Sequence, residues 1–264
     1  MRLRCHNWRF ELSPFLIALI AFACVFSSAL LGLYIRTLLP EHHLSDESIA
    51  VVKLATGLIA TMAAMVLGLL ITSARLTFQT TNTELTVNAA KVFQFDRALA
   101  RYGPETQDIR AQFKRNYAAV IELVASHDSA TISQLDNPQA ISHSDAIRQQ
   151  IDDLKPGNDS QRALKARAQQ IADEVLAARW LTLLQAQGSI PITFLIVLVA
   201  WLSVIFGAFG VFAPKNGTVI VAFFTCALSA SAAILLIQEM NRPLDGWIGV
   251  SVEPMRETLS RLGQ

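Results

Sequence analysis

His42 and His43 stand beside Glu41, Asp46 and Glu47, and these imidazoles and carboxylates are the donors a divalent cation takes. Adjacent histidines on a short connection cannot easily turn both rings toward one ion, and no further donor lies close in sequence. A solvated acidic loop is the preferred reading, and no metal is assigned. His127 and His143 lie in or beside a polar stretch and read as surface residues. No nucleophile elbow, zinc-protease helix, phosphate-binding loop or dinucleotide fingerprint occurs. No catalytic residue and no cofactor are assigned, and the chain is not expected to be an enzyme. Cys5, Cys24 and Cys226 follow no redox or zinc spacing and read as small apolar fillers. Lys and Arg number 22 against 21 Asp and Glu, with no basic block, so nucleic acid is not an expected partner.

The partner that the composition does point to is lipid. Hydrophobic residues make up 52% of the chain and charged residues 16%, below the ~25% usual in soluble domains. The deficit is concentrated in four stretches: Leu12 to Ile35, Leu54 to Ala74, Ile190 to Ala213 and Asn216 to Gln238. Each exceeds or matches the ~20 apolar residues a helix needs to cross a bilayer, and a helix alone hides its own backbone polar groups there. The first follows Arg2, Arg4 and Arg9 as a signal peptide would, but its apolar core is too long and no cleavage site follows, so it reads as a retained anchor.

Lys and Arg placement predicts the orientation. With the N-terminus inside, the loops on the outer side hold only Arg36, Lys53 and Lys215, and every other Lys and Arg is inside. The expectation is a multi-pass protein of the cell (inner or plasma) membrane with both termini cytoplasmic. Trp8 and Trp247 flank the outermost spans at headgroup level.

Between spans two and three the charges balance and the apolar period is helical. Span two is predicted to continue through Leu76, Leu85, Val92, Phe95 and Leu99 and to end at Tyr102-Gly103-Pro104, where Gly permits a left-handed cap and Pro blocks continuation. A second helix carries Ile109, Phe113, Val120, Ile121 and Val124. Ser126 to Ser142, broken by Asn137-Pro138, is predicted to be a loop, and Ser144 to cap a short helix with Ile147, Ile151 and Leu154. A last helix from about Ser160 leads into span three. After span four, Pro243 and Asp245-Gly246 turn the chain, and Trp247, Ile248 and Val250 are expected along the membrane surface before a final helix from about Glu253 to Leu262. The fold class is all-α, four transmembrane helices with a helical cytoplasmic stalk or bundle inserted between spans two and three. The divisions are 1–75, 76–189, 190–239 and 240–264.

No span carries a charge or histidine near its centre, as proton-coupled transport would ask. Span two carries small residues at helical spacing: Gly57, Ala60, Ala64, Gly68 and Thr72, with Thr61 beside them. Such a stripe either faces a pore or lets helices approach closely, and from the stripe alone plain packing is preferred. Ser203, Gly207 and Gly210 in span three, and Cys226, Ser229, Ala230 and Ala233 in span four, are assigned to packing.

Two stretches together resemble a known family. Phe95-Asp96-Arg97-Ala98-Leu99-Ala100-Arg101-Tyr102-Gly103-Pro104-Glu105 is one, with Tyr102, Gly103 and Pro104 its signature. Glu239-Met240-Asn241-Arg242-Pro243-Leu244-Asp245-Gly246, followed by Val252-Glu253-Pro254-Met255, is the other, with Glu239, Arg242, Pro243, Asp245 and Gly246 its signature. They are similar to elements of the bestrophin-like family of prokaryotic multi-pass membrane proteins, and the similarity covers most of the chain. The resemblance implies a homo-oligomer, since bestrophins are pentameric ion channels whose second span lines a neck. Two departures matter. Span two lacks bulky aromatic ring-formers, with Met62, Met65, Leu69 and Ile71 its large candidates, and the acidic cluster that binds calcium in the animal channels is missing.

The leading expectation is therefore a homo-oligomeric ion channel or pore. The alternative is a non-conducting membrane scaffold or signalling partner, whose cytoplasmic helices or Ser126–Ser142 loop bind another protein.

Overall fold

A computed structural model describes residues 13–40, 46–126, 138–186 and 191–264. Among them are eight α-helices, one short 3-10 turn and no strand. The chain divides into two compact units, one of residues 1–74 and 190–239, the other of residues 75–189 and 240–264.

The first unit holds four helices long and apolar enough to cross a membrane. Helix α1 spans Pro14–Ile35; at ~1.5 Å per residue its 22 residues cover about 33 Å, the thickness of a bilayer core. Ser13 caps it, its hydroxyl oxygen accepting from the Leu16 N–H at 3.3 Å, and Pro14 fills the first turn where no N–H is needed. Helix α2 spans Asp46–Tyr102, an unbroken 57 residues whose first part belongs to this unit. Helices α6 (Ile192–Phe212) and α7 (Gly217–Met240) complete the set. Their connection is closed by Asn216, whose side-chain oxygen accepts from the Val219 N–H at 2.9 Å as the cap of α7.

Helices α1 and α6 lie against each other through small residues. Gly32 of α1 faces Gly207 and Gly210 of α6 so closely that a Cβ on Gly32 would overlap the Gly207 carbonyl oxygen. A Cβ on Gly210 would likewise overlap the Ala29 carbonyl oxygen. Ser28 donates across the seam to the Ser203 carbonyl at 2.6 Å. At the end of the seam Arg36 donates to the Ala213 carbonyl, placing a cation on the last turn of α6 where the helix dipole favours it. Helix α7 joins through rings: Phe224 meets Phe22 and Phe26 edge-on at 5.4 and 5.7 Å, and Phe223 meets Phe206 at 6.3 Å.

The second unit packs the rest of α2 against α3 (Gln107–Ala125), α4 (Pro138–Asp152), α5 (Asp159–Ala186) and the C-terminal α8 (Glu253–Arg261). One apolar cluster gathers Leu85, Ala89 and Val92 of α2, Tyr117, Ile121 and Val124 of α3, and Leu244, Val250, Met255 and Leu262 from the tail. A second gathers Phe95, Ala98 and Leu99 with Ile109, Ile147, Ile151, Ala168 and Ile171. The residues predicted along α2 and α3 are thus buried or partly buried, except Leu76, which is 58% exposed, and Phe95, Ile121 and Ile151 are almost fully enclosed.

Two local expectations are corrected. Helix α4 starts at Pro138, not near Ser144. An Asn-Pro pair reads as a turn, yet Pro is equally suited to the first helical position, and here the helix wins. Val250 does not lie on a membrane surface: it is 2% exposed, inside the first cluster, because its N–H donates to the Pro243 carbonyl at 2.9 Å and draws the chain inward.

Candidate functional site

Within the apolar stretch of α2, three kinds of residue occupy three faces roughly 120° apart at 100° per residue. Thr56, Ala63, Leu70 and Ala74 are buried against this chain. Leu58, Met62, Met65 and Leu69 form a large-residue face, from 46% to 70% exposed. Between them runs the small-residue stripe: Gly57, Ala64, Gly68 and Thr72 are exposed and Ala60 is half-buried. A Cβ on Gly57 or on Gly68 would meet nothing within 4 Å. The hydroxyls of Thr61 and Thr72 donate back to their own helix, to the Leu58 carbonyl at 2.7 Å and the Gly68 carbonyl at 2.9 Å. Their oxygens still have acceptor capacity on an otherwise apolar surface. Ile71, the remaining large candidate, is 39% exposed.

The first signature builds the end of α2. Tyr102 is 4% exposed, and Gly103 follows with φ +146° and ψ +179°, a conformation essentially restricted to glycine. Pro104 opens the 3-10 turn Pro104–Thr106. Thr106, fully buried, reaches the carbonyls of Leu99 at 2.7 Å and Gly103 at 2.9 Å, satisfying oxygens the helix end leaves open. Gln161 donates to the Tyr102 carbonyl at 3.0 Å and so ties the start of α5 to the same corner. Thr106 and Gln161 hold this corner together, and the sequence signals neither beyond its closeness to a turn.

Seven residues either side of Gly103, Asp96 and Arg110 form a bidentate pair at 2.7 and 2.9 Å, with the Asp96 side chain 1% exposed. This hydrogen bond to Asp96 holds the Arg110 guanidinium pKa above its already high ordinary value. The tail is fastened to the same pair. Asp96 accepts from the Gly263 N–H at 3.3 Å, Arg110 and Arg97 each donate to the Gln264 backbone oxygen at 3.1 Å, and Lys114 donates to the Leu262 carbonyl at 2.6 Å. Asp96 lies inside the Phe95–Glu105 stretch and Arg110 outside it; their equal spacing about the Gly103 turn is the signal the sequence offers.

The second signature is also a turn. Arg242 holds Asp245 at 3.2 and 2.5 Å, the Gly246 N–H donates to the Arg242 carbonyl at 3.0 Å, and Leu244 is driven into the core, 3% exposed. Glu239 precedes it on the last turn of α7, and Pro243 accepts the Val250 N–H. Both signatures are turn-makers that dock the α2–α3 hairpin and the tail within one unit. Nearby polar atoms remain buried without a hydrogen-bond partner among the described residues: Glu84 Oε2, Asn88 Oδ1, the Tyr117 hydroxyl and Asn241 Nδ2. Burial pushes the Tyr117 hydroxyl pKa well above its ordinary value of 10.0, so the phenol stays protonated.

A family model for the bestrophin-like domain matches residues 22–255, a span that takes in most of α1, the other three apolar helices and both signatures. The chain belongs to the bestrophin-like family. No curated protein and no solved structure matches it. This bestrophin-like chain is a membrane protein with four apolar helices, and its signature residues sit at the two turns described above. The His42–His43 grouping lies outside the described residues, as does most of the Ser126–Ser142 stretch. Among the described residues no group of three or more His, Cys, Asp and Glu converges as metal ligands.

Proposed function

We propose that this bestrophin-like protein forms a homo-oligomeric pore for ions, with the small-residue stripe of α2 turned toward the shared axis. The observation that carries this reading is the open stripe: a Cβ on Gly57 or Gly68 would meet nothing within 4 Å, and the hydroxyl-bearing Thr61 and Thr72 are exposed beside them. A single chain with no charge near the centre of its spans cannot enclose water at reasonable cost. Several copies, each lending one narrow face with hydroxyl oxygens, can. The large-residue face of α2 then meets lipid or the neighbouring copy. The reading assigns no reaction to the chain, and places both termini in the cytoplasm on the Lys and Arg distribution.

Native mass spectrometry of the detergent-purified protein tests the first requirement. A closed ring of copies is expected; a monomer or dimer removes the geometry on which a shared axis depends. In the ring, cysteines at Ala64 and Gly68 are expected to react with water-soluble thiol reagents, and cysteines at Thr56 and Ala63 to be protected. Protection at Ala64 and Gly68 overturns the pore reading and leaves a non-conducting membrane scaffold.

A further inference from the structure

The loop between α7 and α8 has a buried base and an exposed tip. Leu244 and Val250 are 3% and 2% exposed, whereas Trp247 and Ile248 between them are 97% and 40% exposed. Three contacts close the base: the Arg242–Asp245 pair, Gly246 N–H to the Arg242 carbonyl at 3.0 Å, and Val250 N–H to the Pro243 carbonyl at 2.9 Å. The tip Gly246-Trp247-Ile248-Gly249 carries no charge, and the nearest charges, Arg242 and Asp245, neutralise each other.

We infer that this tip is a lipid-interface anchor, with the Trp247 indole and Ile248 seated in the headgroup region of the bilayer that α7 leaves. An almost fully exposed indole held on a closed loop keeps its apolar ring in water at a free-energy cost that the interface removes. The ring suits the boundary, since amphipathic aromatic rings favour the headgroup level. The tether keeps it there. Arg242 is two residues beyond the end of α7 at Met240, and the Gly246–Arg242 hydrogen bond folds the chain back on itself. At ~3.4 Å per residue Trp247 stays within about 20 Å of that helix end. The inference is independent of whether the protein conducts ions.

The test is tryptophan fluorescence of the full chain with Trp8, Trp180 and Trp201 replaced by Phe, leaving Trp247 alone. The protein is reconstituted into phosphatidylcholine vesicles with acyl chains either plain or brominated near the glycerol end. Loss of emission in the brominated vesicles, with little loss to aqueous iodide, is the expected result. Quenching by iodide and not by bromine places the ring in water and overturns the inference. Quenching by neither shows that protein, such as a second copy of the chain, covers the tip, and also overturns it. If the three replacements unfold the chain, a nitroxide on Ile248→Cys, with Cys5, Cys24 and Cys226 changed to Ser, gives the same decision. Relaxation by oxygen over a water-soluble nickel chelate is expected, and the reverse order overturns the inference.

Discussion

Two seams of small residues run through the membrane unit, and they are used differently. Between α1 and α6, Gly32 and Gly210 are in backbone contact with the facing helix, and a single methyl on either would overlap a carbonyl oxygen. Along α2, Gly57 and Gly68 belong to a stripe of the same residue types at similar spacing, yet a methyl on either would meet nothing within 4 Å. Small-residue spacing therefore states that a backbone can be approached closely. It does not say whether the approaching surface comes from the same chain. In α1 and α6 that surface is present; along the exposed stripe of α2 no facing backbone is found among the described residues.

The largest effect that can break this comparison is steric. Gly32→Leu or Gly210→Leu is expected to cost more than about 3 kcal/mol, because the obstructing atoms are backbone and cannot rotate away. Gly68→Leu, measured on the monomer in a dissociating detergent, is expected to stay within about 0.5 kcal/mol, as for a surface change. Thermal unfolding of the variants decides it, and equal losses at Gly32 and Gly68 would erase the distinction between the seams.

The part of α2 outside the membrane unit sharpens the contrast, because there the contact is polar and wholly internal. Asp96→Asn leaves the Arg110 guanidinium, itself largely enclosed, without its carboxylate and weakens the hold on the tail. A loss of about 3 kcal/mol is expected from breaking such a pair. Limited proteolysis should show earlier cleavage between Leu262 and Gln264 or within α8, while the α1–α6 seam stays intact.

A smaller effect separates the two seams by their hydroxyls. Ser28 donates across the filled seam, so Ser28→Ala is expected to lose about 0.6 kcal/mol, the usual size for a hydrogen bond between membrane helices. Thr72 donates within its own helix, and Thr72→Ala should leave the monomer's unfolding midpoint unchanged. A loss at Thr72 matching that at Ser28 would mean the α2 stripe already has a partner in the monomer.

The smallest effect is electrostatic and exposed. Lys91 lowers the Glu174 pKa from its ordinary 4.5 through a hydrogen bond at 3.1 Å between α2 and α5. A carboxylate with a lowered folded-state pKa adds stability above the unfolded value and loses it as the pH falls through the folded one. Stability at neutral pH against acid should therefore drop slightly less in Glu174→Gln than in the parent, and screening by salt should remove the difference.

The spans, the continuation of span two to Tyr102 and the glycine-dependent stop there were legible because each depends on local chemistry alone. A run of ~20 apolar residues, an apolar stripe at helical period, and Gly103 before Pro104 need no knowledge of distant residues. The Asp96–Arg110 pair is not legible in the sequence, since a carboxylate and a guanidinium 14 residues apart become partners only when the hairpin closes about Gly103. The burial of Val250 is illegible for the same reason. Its alternation of apolar residues fits a membrane surface or a protein core, and only the cluster of Leu85, Tyr117 and Leu262 shows which.

By itself, then, the sequence determined the helices, their apolar lengths and the family to which the turns belong, because helix formation and lipid compatibility are set by neighbours along the chain. Only the tertiary structure decided which small-residue seam is filled and which lies open, which charges pair and where the tail is held. Those outcomes turn on contacts between residues far apart in sequence, where a change of a few ångströms separates a backbone contact from an exposed face.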